Sequence, residues 1–207
     1  MSALALLDYA SVFIFALTGA LAASRAQLDI IGFAFLASLT AVGGGTLRDL
    51  LLDRNPVFWI AQPEHIAIAC GAAGLIFFTA HLFESRARLL LWLDALALGV
   101  AVAAGVGVAM SLGHGAPVVL MMGIMTGTFG GLMRDVVANE VPLVLRQGEL
   151  YVSAAFGGAI VALLAAGISG APLVVFGSCV VSTFVLRAGS IAFGWRLPVY
   201  RARPPKL

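Results

Sequence analysis

Charge is what this sequence has least of. Only 11% of its 207 residues are Asp, Glu, Lys or Arg, where a soluble domain carries roughly 25% to dress its surface for water. Lys206 is the sole lysine. The net charge is +2 and no basic stripe with interleaved aromatics is present, which excludes a nucleic-acid partner. Cys70 and Cys179 each stand alone in an apolar segment, so neither a disulfide framework nor a metal spacing exists and both read as small apolar filler. His65, His81 and His114 are far apart in sequence, and no metal cluster is expected beyond a permeant cation. A nucleophile–base pair, a phosphate loop and a metal-ligand motif are all missing, so neither enzymatic activity nor a cofactor is expected.

What the chain has instead is apolar length. Hydrophobic residues make up 61% and the mean hydropathy is +1.06; the natural solvent is lipid. A helix needs about 20 apolar residues to cross the hydrocarbon core. Seven such segments occur, approximately Leu4–Ala23, Ile31–Leu52, Ile66–Phe83, Leu89–Met110, Val118–Ala138, Leu150–Ile168 and Ala171–Phe193. The first is expected to be a span and not a cleaved signal, since no Lys or Arg precedes it and Asp8 stands where a positive region would be. Basic residues near span ends remain cytoplasmic. Arg25, Arg86, Arg88, Arg146, Arg196, Arg201, Arg203 and Lys206 fall on one side and Arg54 on the other, placing the N-terminus outside and the C-terminus in the cytoplasm.

The sequence also repeats itself. Gly44-Gly45 and Arg48-Asp49 recur as Gly130-Gly131 and Arg134-Asp135, an offset of 86. The same offset carries Leu7-Asp8 onto Leu93-Asp94, Gly19 onto Gly105, Pro56 onto Pro142 and Gly71 onto Gly157. Each copy holds three spans, an odd number, so the second must lie inverted in the membrane, a common build of transporters with the pathway between the halves. The expected fold is therefore an all-α integral membrane protein of one domain. Repeat one covers about 4–83, repeat two about 89–168, and a seventh helix about 171–193.

Gly43-Gly44-Gly45 and Gly127 with Gly130-Gly131 fall inside apolar runs. Glycine is disfavoured in helix interiors by about 1 kcal/mol, so these clusters suggest helix breaks whose freed carbonyls could receive a cation. They also suit close packing: Gly123, Gly127 and Gly131, matched by Ala37, Ala41 and Gly45, form a small-residue ridge. Arg48 and Asp49 lie four and three residues before the end of their span, as do Arg134 and Asp135. A charge at mid-bilayer costs roughly 2.5–3.5 kcal/mol, so these side chains should face the bundle interior. Adjacent helical residues point about 100° apart, which argues against pairing within each Arg-Asp dipeptide. Topology instead predicts Asp8–Arg48 near the outer side and Asp94–Arg134 near the inner side, two charged layers flanking a constriction at the glycines. Arg187 is a third intramembrane cation, able to join a pathway or to bind lipid phosphate.

Gly43-Gly44-Gly45-Thr46-Leu47-Arg48-Asp49 and Gly127-Thr128-Phe129-Gly130-Gly131-Leu132-Met133-Arg134-Asp135 resemble the paired signatures of the prokaryotic branch of the trimeric intracellular cation (TRIC) channel family. The resemblance spans essentially the whole chain. It implies a pore inside each protomer lined by the broken second and fifth helices, a homotrimer in a prokaryotic inner membrane surrounded by lipid, and conduction of monovalent cations, chiefly potassium, with sodium second. Gly43, Gly44, Gly45, Gly127, Gly130 and Gly131 would line and kink the pore, while Arg48, Asp49, Arg134 and Asp135 would sit at gates or mouths. Animal members carry a Lys-Glu-Val motif that this chain lacks, so phosphoinositide regulation resting on it is not carried over. Cation conduction also requires that Asp8, Asp94 or lipid neutralise the arginines. Two other readings stand beside the channel: an alternating-access carrier for a small zwitterion such as glycine, and a membrane scaffold whose repeat is a relic.

Overall fold

The structure is a computed structural model that describes residues 2–83 and 85–200. Arg201, Arg203 and Lys206, used above for orientation, lie outside the described residues. Seven long helices follow the seven apolar segments: α1 (Ala3–Arg25), α2 (Ile30–Leu51), α3 (Glu64–Thr79), α4 (Arg86–Ser111), α5 (Ala116–Val137), α6 (Val152–Ile168) and α7 (Pro172–Phe193). Six are long and apolar enough to cross a membrane, α3 with the help of a 3-10 turn at Ala80–Leu82. The seventh of these apolar helices, α6, has 17 residues, about 26 Å at 1.5 Å per residue, near the lower limit for a span.

Local chemistry sets the ends. Ser2, Asp29 and Ser85 cap α1, α2 and α4 by accepting hydrogen bonds from the backbone N–H groups of Ala5, Gly32 and Arg88. Proline opens α5 and α7 in the first turn, where its missing donor costs nothing. Gly194 takes the left-handed conformation that closes α7.

Helix α4 is the hub. Its most apolar window is 72% buried where the other spans have 33–44%, so it is wrapped on most sides, by α1, α5 and α7. Its stretch from Ala95 to Ala109 is almost wholly Ala, Gly and Val, small enough for neighbours to approach closely. Outward-facing positions such as Ile31, Phe35, Phe78, Leu164, Ile168 and Leu173 are large, apolar and exposed, as a lipid-facing surface requires.

The repeat is visible in the packing. The space a side chain would fill at Gly19 is taken by the Leu36 carbonyl and the Thr40 hydroxyl; at Gly105 it is taken by the Met122 carbonyl and the Thr126 hydroxyl. Thr40 and Thr126 each donate to those same carbonyls at 2.6 Å. Helices α2 and α5 cross with Gly44 against the Thr126 carbonyl and Gly130 against the Thr40 carbonyl. Every partner in these pairs is related to its counterpart by 86 residues. The equivalent helices α1 and α4 run antiparallel, with Leu4 at the start of α1 packed on Gly107 near the end of α4.

The expected helix breaks are absent. Helices α2 and α5 are continuous from Ile30 to Leu51 and from Ala116 to Val137, straight through Gly43–Gly45, Gly127, Gly130 and Gly131. A glycine lowers helix propensity but removes no hydrogen bond. Close approach explains the crossing pair instead, because any Cβ at Gly44 or Gly130 would strike the other helix's backbone. Gly123 and Gly127 do the same service toward Val102, Val106 and Leu98 of α4.

Candidate functional site

Helices α2 and α5 each carry an Arg-Asp dipeptide one turn from their C-terminal ends, and the crossing at the glycines puts these at opposite ends of the bundle. In the layer beside the start of α1, Arg48 is fully buried. Its Nη1 donates to Asp8 Oδ1 at 2.9 Å and its Nε to Asp49 Oδ1 at 2.8 Å. Asp49 also accepts from Arg54 Nη1 at 3.1 Å and, through Oδ2, from the backbone N–H of Phe58 at 2.9 Å. The Phe58 ring fills the space left by Gly45 and lies 5.4 Å from the Arg48 guanidinium, a cation–π contact.

The second layer repeats the plan at the other end. Arg134, also fully buried, donates from Nη1 to Asp94 Oδ1 at 2.7 Å and to the Thr18 hydroxyl at 2.9 Å, and from Nε to Asp135 Oδ1 at 2.8 Å. Asp135 Oδ2 accepts from the backbone N–H of Leu143 at 2.8 Å. At Gly131 the vacant Cβ position is ringed by Tyr151 Oη, Asp94 Oδ1 and Arg134 Nη2 at 3.1, 3.4 and 3.6 Å.

Both pairs expected from topology, Asp8–Arg48 and Asp94–Arg134, are therefore present. The expectation that Arg48 and Arg134 do not pair with their own sequence neighbours is overturned. Their Cβ atoms do diverge, but the long arginine stem carries Nε back over the adjacent carboxylate. Each guanidinium thus meets two carboxylates, which gives each cluster a formal charge of −1; Arg54 returns the first to zero. Neither layer is positive. The local cost of burying a cation in the membrane is offset by charge-assisted hydrogen bonds.

Arg187 of α7 is buried too, with Nη1 2.8 Å from Glu149 Oε2, though not aligned for a hydrogen bond, and its guanidinium 5.1 Å from the Tyr151 ring. It is placed beside the second layer and is bound within the chain. Reading the sequence did not single out Phe58, Leu143, Thr18, Tyr151 or Glu149. The prolines Pro56 and Pro142, seven residues after each Asp, were the available sign that the chain turns back there and offers a backbone donor.

A cavity opens at each layer. Beside Asp8 lies a cavity of about 360 Å³ lined by Arg54, Gln62, His65 and Ser111, among others. Beside Asp135 the cavity is about 70 Å³, lined by Arg25, Leu90, Leu91, Glu140 and Arg146. The 86-residue offset maps Leu4 onto Leu90, Ala5 onto Leu91 and Arg54 onto Glu140 across these linings. The smaller cavity is narrowed by bulkier Leu91 and bridged by Arg25–Glu140 at 3.0 Å. Among the described residues, no group of three or more His, Cys, Asp or Glu is placed to hold a metal.

Comparison with known proteins agrees with this layout. A family model described as a glycine transporter matches residues 5–81 and again 91–167, two copies set 86 residues apart. The chain is 38% identical to a UPF0126 membrane protein of Vibrio cholerae, over 96% of this chain and 83% of that one. It is 36% identical to the UPF0126 inner membrane protein YadS of Escherichia coli K12, over 94% of each. The crystal structure of a trimeric intracellular cation channel orthologue from Rhodobacter sphaeroides superposes with a TM-score of 0.90 at 40% identity, covering 94% of this chain and all of that one. By these likenesses over nearly its whole length, the chain belongs to the prokaryotic branch of the trimeric intracellular cation channel family.

Proposed function

We infer that the protein is a channel for monovalent cations, potassium first among them, with a pathway in each protomer of a homotrimer along α2 and α5. The observation that carries this reading is the charge balance of the two layers. A cation approaching Arg48 or Arg134 meets a cluster that its carboxylates have made neutral or negative, so the buried arginines do not repel it. The two cavities then serve as mouths, and the Gly44–Thr126 and Gly130–Thr40 contacts form the constriction, closed in this conformation. Gly43, Gly45, Gly127 and Gly131 keep the crossing narrow by letting other elements approach. The antiparallel α1 and α4 and the contacts recurring at one offset support an inverted duplication.

The N-terminus faces outside and the C-terminus the cytoplasm of a prokaryotic inner membrane, consistent with the basic residues Arg25, Arg86, Arg88 and Arg146 at one end. Lipid surrounds the exposed apolar faces. The Rhodobacter relative, called a trimeric cation channel, supports both the assembly and the activity. The carrier reading draws support from the description of the family model. The backbone contact at the α2–α5 crossing closes the path to either solute in this conformation, so the transport assay decides between the two.

The test is reconstitution in planar bilayers under a potassium gradient. Unitary currents reversing near the potassium potential, and altered in Asp49→Asn or Asp135→Asn, are expected. Silent bilayers, with saturable glycine uptake into liposomes from the same preparation, would overturn the channel reading.

A further inference from the structure

The turn that closes α2 is repeated at the end of α5. Asp53 and its 86-residue mate Asn139 both take the left-handed conformation, at φ 51° and 54°. The next residue in each copy donates its backbone N–H to the carbonyl of the layer aspartate at 2.8 Å, Arg54 to Asp49 and Glu140 to Asp135. One backbone geometry thus delivers one side chain to the lining of each cavity, and the two side chains have opposite charge. Their surroundings differ accordingly. Glu140 reaches across its cavity to Arg25. The mate of Arg25 is Ser111, which lines the first cavity and brings no charge. With no counter-charge offered from there, Arg54 shares Asp49 Oδ1 with Arg48, at 3.1 Å.

The consequence is electrostatic. Asp8 and Arg54 are the charged residues in the lining of the first cavity, with side chains 16% and 37% exposed. The positive charge is the more open to water. The nearby acid Asp53 accepts from Asn55 at 2.9 Å and is not part of the lining. Asp8, Arg48 and Asp49 sum to −1, and Arg54 cancels them. A cation entering here therefore finds a neutral cavity, where without Arg54 it would find a negative one. We propose that Arg54 sets how fast cations enter the pathway from this end and how strongly they are preferred there over anions. This rests on the channel reading above. In water a unit charge about 7 Å from an ion changes its energy by about RT, and 0.1 M salt, with a Debye length of about 10 Å, screens part of that. Removing Arg54 should raise the cation concentration in the cavity, and the current it feeds, about twofold. At 1 M salt the Debye length is about 3 Å and the effect should fade; a change in packing would not.

Single-channel currents are recorded in planar bilayers in symmetric 0.1 M and 1 M KCl, and the reversal potential under a KCl gradient gives the preference for potassium over chloride. Arg54→Gln should pass about twofold more current at 0.1 M for ions entering at this end, hardly more at 1 M, and prefer potassium more strongly. Arg54→Lys, which keeps the charge, should restore the unmodified behaviour. Arg54→Cys separates charge from folding within one protein, in a Cys70→Ser background because Cys70 is exposed. A sulfonate-bearing thiosulfonate reagent should raise its current and a trimethylammonium-bearing one should lower it. Arg54→Gln currents equal to the unmodified protein's at 0.1 M, an increase that persists at 1 M, Arg54→Lys behaving as Arg54→Gln, or the same response to both reagents would overturn the assignment and leave the channel standing. Silent bilayers with the unmodified protein would remove the channel reading, and this inference with it.

Discussion

Substituting Gly44 by alanine tests whether the glycines serve close approach. A Cβ there falls on the Thr126 carbonyl oxygen, and the next nearest atoms are that residue's own backbone. No flexible side chain is available to give way, so α2 and α5 must separate, by on the order of 1 Å to restore van der Waals contact. Overpacking of this kind costs about 1–3 kcal/mol. Alanine returns about 1 kcal/mol through its better helix propensity, leaving a net loss of up to about 2 kcal/mol. Gly71 and Gly74 on α3 have nothing within 4 Å of their Cβ positions, so alanine there should be neutral or stabilising by up to about 1 kcal/mol. Because Gly44 and Gly130 meet the same crossing, the double variant should lose less than the sum of the singles. Unfolding free energies in mixed detergent micles of graded denaturing strength provide the readout. If Gly44→Ala proves as stable as Gly71→Ala, the close-approach account fails.

Other outcomes follow from burial. Asp94 is fully buried and Asp8 has a side chain 16% exposed; Asp94→Asn should therefore destabilise by about 1–3 kcal/mol and Asp8→Asn by less, in the same unfolding assay. Glu149→Gln leaves Arg187 as a buried cation without its carboxylate, a loss of about 3–5 kcal/mol, while Arg187→Met with Glu149→Met should recover most of it. The Arg25–Glu140 bridge is about one-third exposed on both sides, so Glu140→Gln should cost under about 1 kcal/mol and its effect should shrink in high salt.

Much of this was legible from the residues in order. The length and apolarity of the seven segments dictate helices that span, because a chain in lipid must satisfy its backbone internally. The doubled motif at one offset announces the duplication, and an odd number of spans per copy pairs Asp8 with Arg48 and Asp94 with Arg134. Those pairings depend only on depth in the membrane, which helix length and direction fix.

The tertiary structure decided what depends on lateral approach and side-chain reach. Arg48 and Arg134 fold back onto Asp49 and Asp135 because an arginine stem is long enough to undo a 100° divergence. Gly44 and Gly130 keep their helices whole because the partner backbone occupies the space a side chain would need. Phe58, Leu143 and Tyr151 enter the charged layers through turns and neighbouring helices that no spacing in the motif reveals. The two cavities differ in size although one offset relates them, since Leu91 and the Arg25–Glu140 bridge act across helices, where contacts follow from packing and not from order along the chain.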